Sequence, residues 1–229
     1  MCNLEASLAL VCDYDGTLAC QGSVSNAALE ALVRFRHSGR KLFLATGRIL
    51  PDLQSVFSRL DLFDAVVAEN GPVLLYPNRG HKRILAQAPP EEFVSNLYRA
   101  GIPAVATGEV IVAVPRIYES QASQVIDDLD LALQPIYNKD SLMFLPQGMD
   151  KMAGLRVVLD ELHIPPERVI AVGDGENDAP LLEGCGCAVA VANAVPELRR
   201  KAQVVTCREC SDGVIELISQ VLFKGQTPA

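Results

Sequence analysis

The sequence predicts an α/β protein in which a parallel sheet carries helices on both faces and a small α+β unit is inserted partway along the chain. Three observations predict it. Apolar runs of strand length alternate with helically striped segments over residues 1–78 and again over 148–229. Between them, over 79–147, the pattern changes. The apolar runs of the alternating parts also end on the same few polar residue types, Asp, Thr, Gly and Asn, as strands do where a parallel sheet opens into a ligand crevice.

Taken in order, LALVC is the first expected strand. Ser25 caps a helix on which Leu29, Leu32 and Val33 share a face, and Gly39 ends it. KLFLAT is the second strand. Pro51 opens a helix with Leu53, Val56, Phe57 and Leu60 inward, and AVVAEN is the third strand. In the insert, PEEFVSNLYRAG and YESQASQVIDDLDL read as helices, VATGEVIVAVP and LQPIYN…SLMFLP as strands. Beyond it, Met152, Leu155, Val158, Leu159 and Leu162 stripe a helix that Pro165-Pro166 closes before strand RVIAVGD. Shorter units follow: helix APLLEG, strand CAVAV, helix VPELRRKA, strand QVVT and a last helix in GVIELISQVL. Residues 1–78 and 148–229 therefore read as one core domain and 79–147 as a second, inserted one.

With 229 residues, nearly half of them apolar, the chain can bury a sizeable core. SLALV, KLFLA and VIVAV are strand-sized, so no membrane partner is expected. Glu5 precedes the first apolar run without a basic region, which argues against a secretory signal. The net charge of −8 argues against a nucleic-acid partner, which would require a basic face. Small anions remain possible ligands, because a bound cation reverses the local field. Cys185 and Cys187 form a CxC and Cys207 and Cys210 a CxxC, which invites a four-cysteine zinc site. The strand reading sets the two pairs at opposite edges of a parallel sheet, so reduced thiols in a cytoplasmic protein are the expectation. His37, His81 and His163 form no ligand cluster and read as surface residues.

Strand exits carry the chemistry. The first gives Asp13, Asp15, Gly16 and Thr17; the second Thr46, Gly47 and Arg48; the third Glu69, Asn70 and Gly71. RVIAVGD gives Asp174, Gly175, Asn177 and Asp178, and Lys151 opens the helix after the insert. Singly, each has an ordinary structural explanation as a turn, a cap or a surface charge. Together they put four carboxylates and a lysine at one edge of one sheet. A divalent cation would relieve that repulsion, and magnesium suits oxygen ligands. Phosphoryl transfer asks for this set: a nucleophile, a metal, donors for the phosphoryl oxygens and a proton shuttle.

DYDGTL, LATGR, the lysine of DKMAGL and GDGENDAPLL, in this order, resemble the four motifs of the haloacid dehalogenase superfamily of phosphatases. An insert between the second and third motifs resembles the Cof-type subfamily with a type II cap, and its short length resembles phosphoglycolate phosphatase-like members. ENG at 69–71 and VANAVPELRRKA…DGVIEL extend the likeness over the whole chain. The resemblance implies a Rossmann-like core with an inserted cap and magnesium as cofactor. It implies a small phosphorylated metabolite, phosphoglycolate or a sugar phosphate, as substrate. It further implies that Asp13 is the nucleophile, Asp15 the acid and then the base, and that Thr46 and Lys151 hold the phosphoryl oxygens. Magnesium would be held by Asp13, the carbonyl of Asp15 and Asp174, with Asp178 a further ligand or a partner behind the ligands. Gly47 and Asn177 would lie beside the phosphate. Arg48, Asn70 and Arg116 are candidates for gripping the organic part of the substrate, each with a salt bridge, turn or surface charge as the alternative. A monomer or homodimer is expected.

Two rival readings share these residues. Related type II caps occur in phosphomutases of hexose phosphates, which would return an isomer in place of inorganic phosphate. A phospho-acceptor signalling domain also groups acidic residues, Thr and Lys around an Asp. It needs that Asp at the third strand exit, where this chain has Glu69-Asn70.

Overall fold

The computed structural model describes residues 4 and 6–224. The first apolar run forms β1 (Ala9–Asp13), buried along its whole length, as a strand covered on both faces must be. α1 (Asn26–His37) follows, and the Ser25 side chain accepts from the Ala28 N–H at 3.2 Å to cap it. β2 (Lys41–Ala45) returns parallel to β1. α2 (Leu50–Val56) then leads to β3 (Ala65–Ala68), parallel to β2.

From Glu69-Asn70-Gly71 the chain reverses into an antiparallel hairpin, β4 (Val73–Tyr76) and β5 (His81–Ile84). This corrects the sequence reading, which assigns residues from 79 onward to the insert. β5 pairs with β4 and extends the large sheet. All four of its side chains are exposed and its first three are His, Lys and Arg, so it lacks the apolar alternation that signals a strand. A charged edge strand needs none, because it has no second neighbour and must discourage one.

The smaller unit contains α3 (Glu91–Arg99), β6 (Ala106–Thr107), β7 (Val112–Pro115), α4 (Glu119–Asp128), β8 (Leu133–Asn138) and β9 (Ser141–Pro146). Its four strands pair antiparallel in the order β6-β7-β9-β8. Strand periodicity divides β9 between two cores. Leu142 and Phe144 pack with Phe93, Leu97, Val112, Val114 and Ala122 in the unit's own core. Met143 and Leu145 face the other way and join the core of the large sheet.

The stretch 105–115, read as one strand, breaks into β6 and β7 around a turn. The turn is fastened to the large sheet: the N–H groups of Glu109, Val110 and Ile111 each donate to the Glu69 carboxylate at 2.9 Å. Gly108 has no room for a side chain, because a Cβ there would meet that carboxylate.

The remainder adds α5 (Lys151–Glu161), β10 (Val169–Gly173), α6 (Ala179–Gly184), β11 (Cys187–Ala190), α7 (Pro196–Lys201), β12 (Val204–Val205) and α8 (Cys210–Lys224). The large sheet runs β12-β11-β10-β1-β2-β3-β4-β5, parallel from β12 to β3. Chain order reverses beside β1, between β10 and β2, which is where such sheets open a crevice.

Cys187 is disulfide-bonded and so is not the reduced thiol expected, whereas the other five cysteines among the described residues are free. Spacing compares only cysteines close in sequence. Cys187 instead opens β11 opposite Ile170, at the sheet edge where the chain preceding β1 runs past Arg168. The parallel pairing of β11 and β12 sets the CxC at the start of one strand and the CxxC beyond the end of the other.

Glu69 is buried in this junction. Glu69→Ala would strand three backbone donors, two of them on buried residues, at a cost of about 3 kcal/mol or more. For a chain of this size we expect a melting temperature about 6–12 °C lower, measured by calorimetry on the metal-free protein.

Candidate active site

Asp13 is the last residue of β1, Lys151 the first of α5, and Asp178 lies in the loop after β10. These three meet. The Lys151 ammonium, with no exposed surface, donates to Asp13 Oδ1 at 2.5 Å and to Asp178 Oδ1 at 2.6 Å. The Asp150 side chain caps the helix that carries the lysine, accepting from the Ala153 N–H at 2.7 Å. Asp178 Oδ2 accepts the N–H groups of Asp174 and Gly175 at 3.0 and 2.9 Å, so this carboxylate fixes both the lysine and its own loop.

Asp174 completes a buried trio with Asp13 and Asp178, in which one carboxylate oxygen from each lies within 4.8 Å of the others. Thr17 Oγ1 donates to Asp174 Oδ1 at 3.0 Å. From the smaller unit, Lys139 Nζ donates to Asp174 Oδ2 at 2.9 Å. Gly16, with φ +84°, turns the chain against this carboxylate, which any Cβ would strike. Asn193 donates to the Gly16 carbonyl at 2.8 Å and holds that turn.

Asp15 does not join the trio. Its carboxylate faces away, in a two-point ion pair with Arg48: Nε to Oδ2 at 2.7 Å and an Nη to Oδ1 at 2.8 Å. Arg48 therefore serves Asp15 and is not free to grip a substrate. The adjacent carboxylates of DYDGTL thus have separate cations, Lys151 for the first and Arg48 for the second.

Thr46, fully buried at the exit of β2, accepts the Arg48 N–H on Oγ1 at 3.1 Å. The Asn70 amide lies against Gly47. Asn70 Oδ1 accepts from Asn177 at 2.9 Å and its Nδ2 donates to the Met143 sulfur at 3.0 Å, which links two strand exits and the smaller unit. Arg116 stays outside the trio, 3.8 Å from Glu176 and over the Tyr137 ring at 4.8 Å. Glu69, at the position a signalling domain would phosphorylate, is occupied by the three amides of the 109–111 turn. That rival reading falls.

Burial drives the electrostatics. It pushes the Asp13 carboxyl well above the usual carboxylate range, Asp178 adds to the push, and Lys151 only partly opposes it. Asp174 is also raised, first by burial and then by Asp178, against the pull of Lys139 and Thr17. Burial works against the charge on Lys151, but Asp13 and Asp178 outweigh it and keep its pKa above the ordinary lysine value. The buried acids are short of positive charge. Their donors are all oxygen, which fits a hard divalent cation.

Sequence reasoning missed Lys139, Glu69 as a fastening, and Asn193, and it named Thr17 at the first strand exit without giving it a role. Asn193 lies inside the family-like segment VANAVPELRRKA, which is a signal that could have found it. Lys139 carries no signal beyond being a polar residue in a turn.

Oxygen ligands, a buried ammonium and a hydroxyl at the exits of one parallel sheet define a phosphoryl-transfer site. Residues 10–103 and 105–218 match the haloacid dehalogenase-like hydrolase family. The chain belongs to that family, as a Cof-type phosphatase. It is 30% identical over 231 residues to a phosphoglycolate phosphatase of Saccharolobus solfataricus, covering 93% of this chain and 95% of the relative. It is 28% identical over 228 residues to a phosphoglycolate phosphatase of Methanopyrus kandleri, covering 93% and 96%. A subclass IIB sugar phosphatase of the superfamily superimposes with a TM-score of 0.77 at 20% identity, over 93% of this chain and 98% of its own. No helix among the described residues is long and apolar enough to cross a membrane.

Metal binding needs these carboxylates ionised, and burial keeps their protons on to higher pH than usual. Affinity for a divalent cation should therefore climb as pH rises through the raised values of Asp13 and Asp174. Binding at mildly acid pH should release protons. Titration calorimetry in buffers of different ionisation heat measures both; a pH-independent affinity from pH 5 upward (about one unit above an ordinary carboxylate) would contradict the electrostatics.

Proposed function

We propose that the chain is a magnesium-dependent phosphatase of small phosphorylated metabolites that works through an aspartyl phosphate on Asp13. Phosphoglycolate is the first substrate to try, on the strength of the curated relatives, and sugar phosphates the second. The observation that carries the reading is the buried Asp13–Lys151–Asp178 contact beside Asp174. It joins one carboxylate at the end of the central strand to a fixed ammonium and to further oxygen ligands. The smaller unit, over about residues 85–147, is the proposed cap, since β5 pairs with the large sheet.

Asp13, the Asp15 carbonyl and Asp174 would hold the metal. Bound there, it would neutralise charge on the phosphoryl oxygens and on the attacking carboxylate. Asp178 is the orienting residue, because its lone pairs already serve Lys151 and two backbone N–H groups. Lys151 and the Thr46 hydroxyl donate to phosphoryl oxygens. An Asp13 oxygen bonds to phosphorus while the ester P–O bond breaks, and the leaving oxygen takes the proton of the Asp15 carboxyl. Asp15, now a carboxylate, then takes a proton from water as the water oxygen bonds to phosphorus. The Asp13–phosphorus bond breaks and inorganic phosphate leaves. Arg48 positions the Asp15 side chain for these transfers through its two-point contact.

Asp13→Asn should remove both turnover and any covalent phosphate. Asp15→Asn separates the steps, because a phenolate leaves without a proton and an alkoxide does not. With an aryl phosphate we expect a burst approaching one equivalent of phenol and then little turnover. Alkyl phosphates should lose a hundred- to ten-thousand-fold, the usual worth of general acid–base help. Rapid-quench kinetics with phosphate analysis make the measurement. A burst in Asp13→Asn and none in Asp15→Asn would reverse the two assignments.

A further inference from the structure

Lys139 sits at the tip of the β8–β9 hairpin with φ +54°, a backbone setting that favours glycine or asparagine over lysine. Two contacts hold the tip over the loop that follows β10, to Glu176 and Asp174, and a third, from Arg116, lies within the smaller unit. The Lys139 N–H donates to Glu176 Oε2 at 3.1 Å, its carbonyl accepts from Arg116 at 3.3 Å, and its ammonium reaches Asp174 at 2.9 Å. The side chain is 52% exposed while that of Asp174 is 2% exposed. A solvent-reaching cation from the smaller unit thus rests on a buried carboxylate that suits a metal.

We propose that Lys139 is the specificity residue of the cap, resting on Asp174 until a divalent cation takes that carboxylate, and then receiving a carboxylate on the leaving alcohol of the substrate. This rests on the phosphatase reading above. Asp174 cannot serve an ammonium and a metal equally well, so metal binding frees the lysine. Among the described residues, the other cations near the site stay engaged: Lys151 with Asp13 and Asp178, Arg48 with Asp15, Arg116 with Glu176 and the Tyr137 ring, and Lys201 with Glu183 and Glu197. In-line displacement sends the leaving oxygen away from Asp13. Asp13 belongs to the sheet and Lys139 to the unit facing it, so the freed ammonium stands on the leaving-group side. One unpaired cation matches one carboxylate, whereas a second phosphate dianion would call for two.

The test compares two esters, 2-phosphoglycolate and phenyl phosphate, with magnesium present. The ratio of their kcat/KM values in Lys139→Met should fall about ten- to a hundred-fold relative to wild type, the worth of a charge-assisted hydrogen bond. Lys139→Arg, which keeps the charge, should hold the ratio within about five-fold of wild type, since the guanidinium also pairs with carboxylates. A Lys139→Met ratio equal to wild type would overturn the proposal and move Lys139 onto the transferred phosphoryl group or out of the reaction. Wild-type protein that cleaves neither ester would overturn the phosphatase reading itself. A second readout needs no turnover. Magnesium affinity measured by calorimetry without substrate should tighten about two- to ten-fold in Lys139→Met, because no ammonium has to be displaced. Unchanged affinity would overturn the resting position on Asp174.

Discussion

The contact on which the rest depends is the buried ammonium of Lys151 between Asp13 and Asp178. Each partner comes from a different piece of the chain: the end of β1, the start of α5 and the loop after β10. Taking a lysine and two carboxylates out of water costs several kcal/mol per ion, and a close contact recovers that only with good geometry. The fold supplies the geometry. Asp150 fixes the first turn of the lysine's helix, backbone N–H groups hold Asp178, and parallel pairing aligns β1 with β10. Loss of Lys151 would leave two buried carboxylates without their ammonium, and loss of either carboxylate would leave the ammonium with a single partner. The arrangement therefore acts as one unit, and its residual hunger for positive charge makes it a site.

The two carboxylates of DYDGTL show how one turn supports two chemistries. Asp13 is 5% exposed and reads the low-dielectric interior, which raises its pKa. The Asp15 side chain is 42% exposed and held by a guanidinium. Neighbouring acids with different surroundings can divide nucleophilic and proton-transfer work between them. Gly16 is what permits it. With φ +84° and no side chain, it reverses the chain at once and lets Asp174 close in behind.

Much of this was legible in the sequence because it is local. A buried parallel strand is a run of apolar residues, and the residues just past its end line the crevice. Strand exits therefore name Asp13, Thr46, Asp174 and Asp178 before any fold is drawn. Contact between distant segments was not legible. β5 is a strand only because β4 offers it an edge; nothing in HKRI says so. Glu69 reads as a turn residue in ENG, and its three amide partners lie 40 to 42 positions further on. Lys139 looks like any lysine at the tip of a hairpin until the tip is docked on Asp174. Arg48 and Asn70 lie in the expected neighbourhood but not with the expected partners, since side chains of the protein already use them.

Two of the fastenings between the smaller unit and the sheet, at Glu69 and at the hairpin tip, differ in kind, and the difference has a direction. At Glu69, a buried carboxylate meets three backbone donors with little access for water or salt. At the hairpin tip, half-exposed Lys139 and Arg116 meet Asp174 and Glu176 across an interface that solvent reaches. Salt weakens ion pairs that solvent reaches and acts much less on buried ones. Added cations therefore weaken the hairpin end first, and a divalent cation acts there twice, by screening the pairs and by competing for Asp174. The smaller unit is held by buried hydrogen bonds near Glu69 and by solvent-reached ion pairs above the carboxylates. An arrangement of this sort lets the same ion that completes the chemistry loosen the contact that covers it.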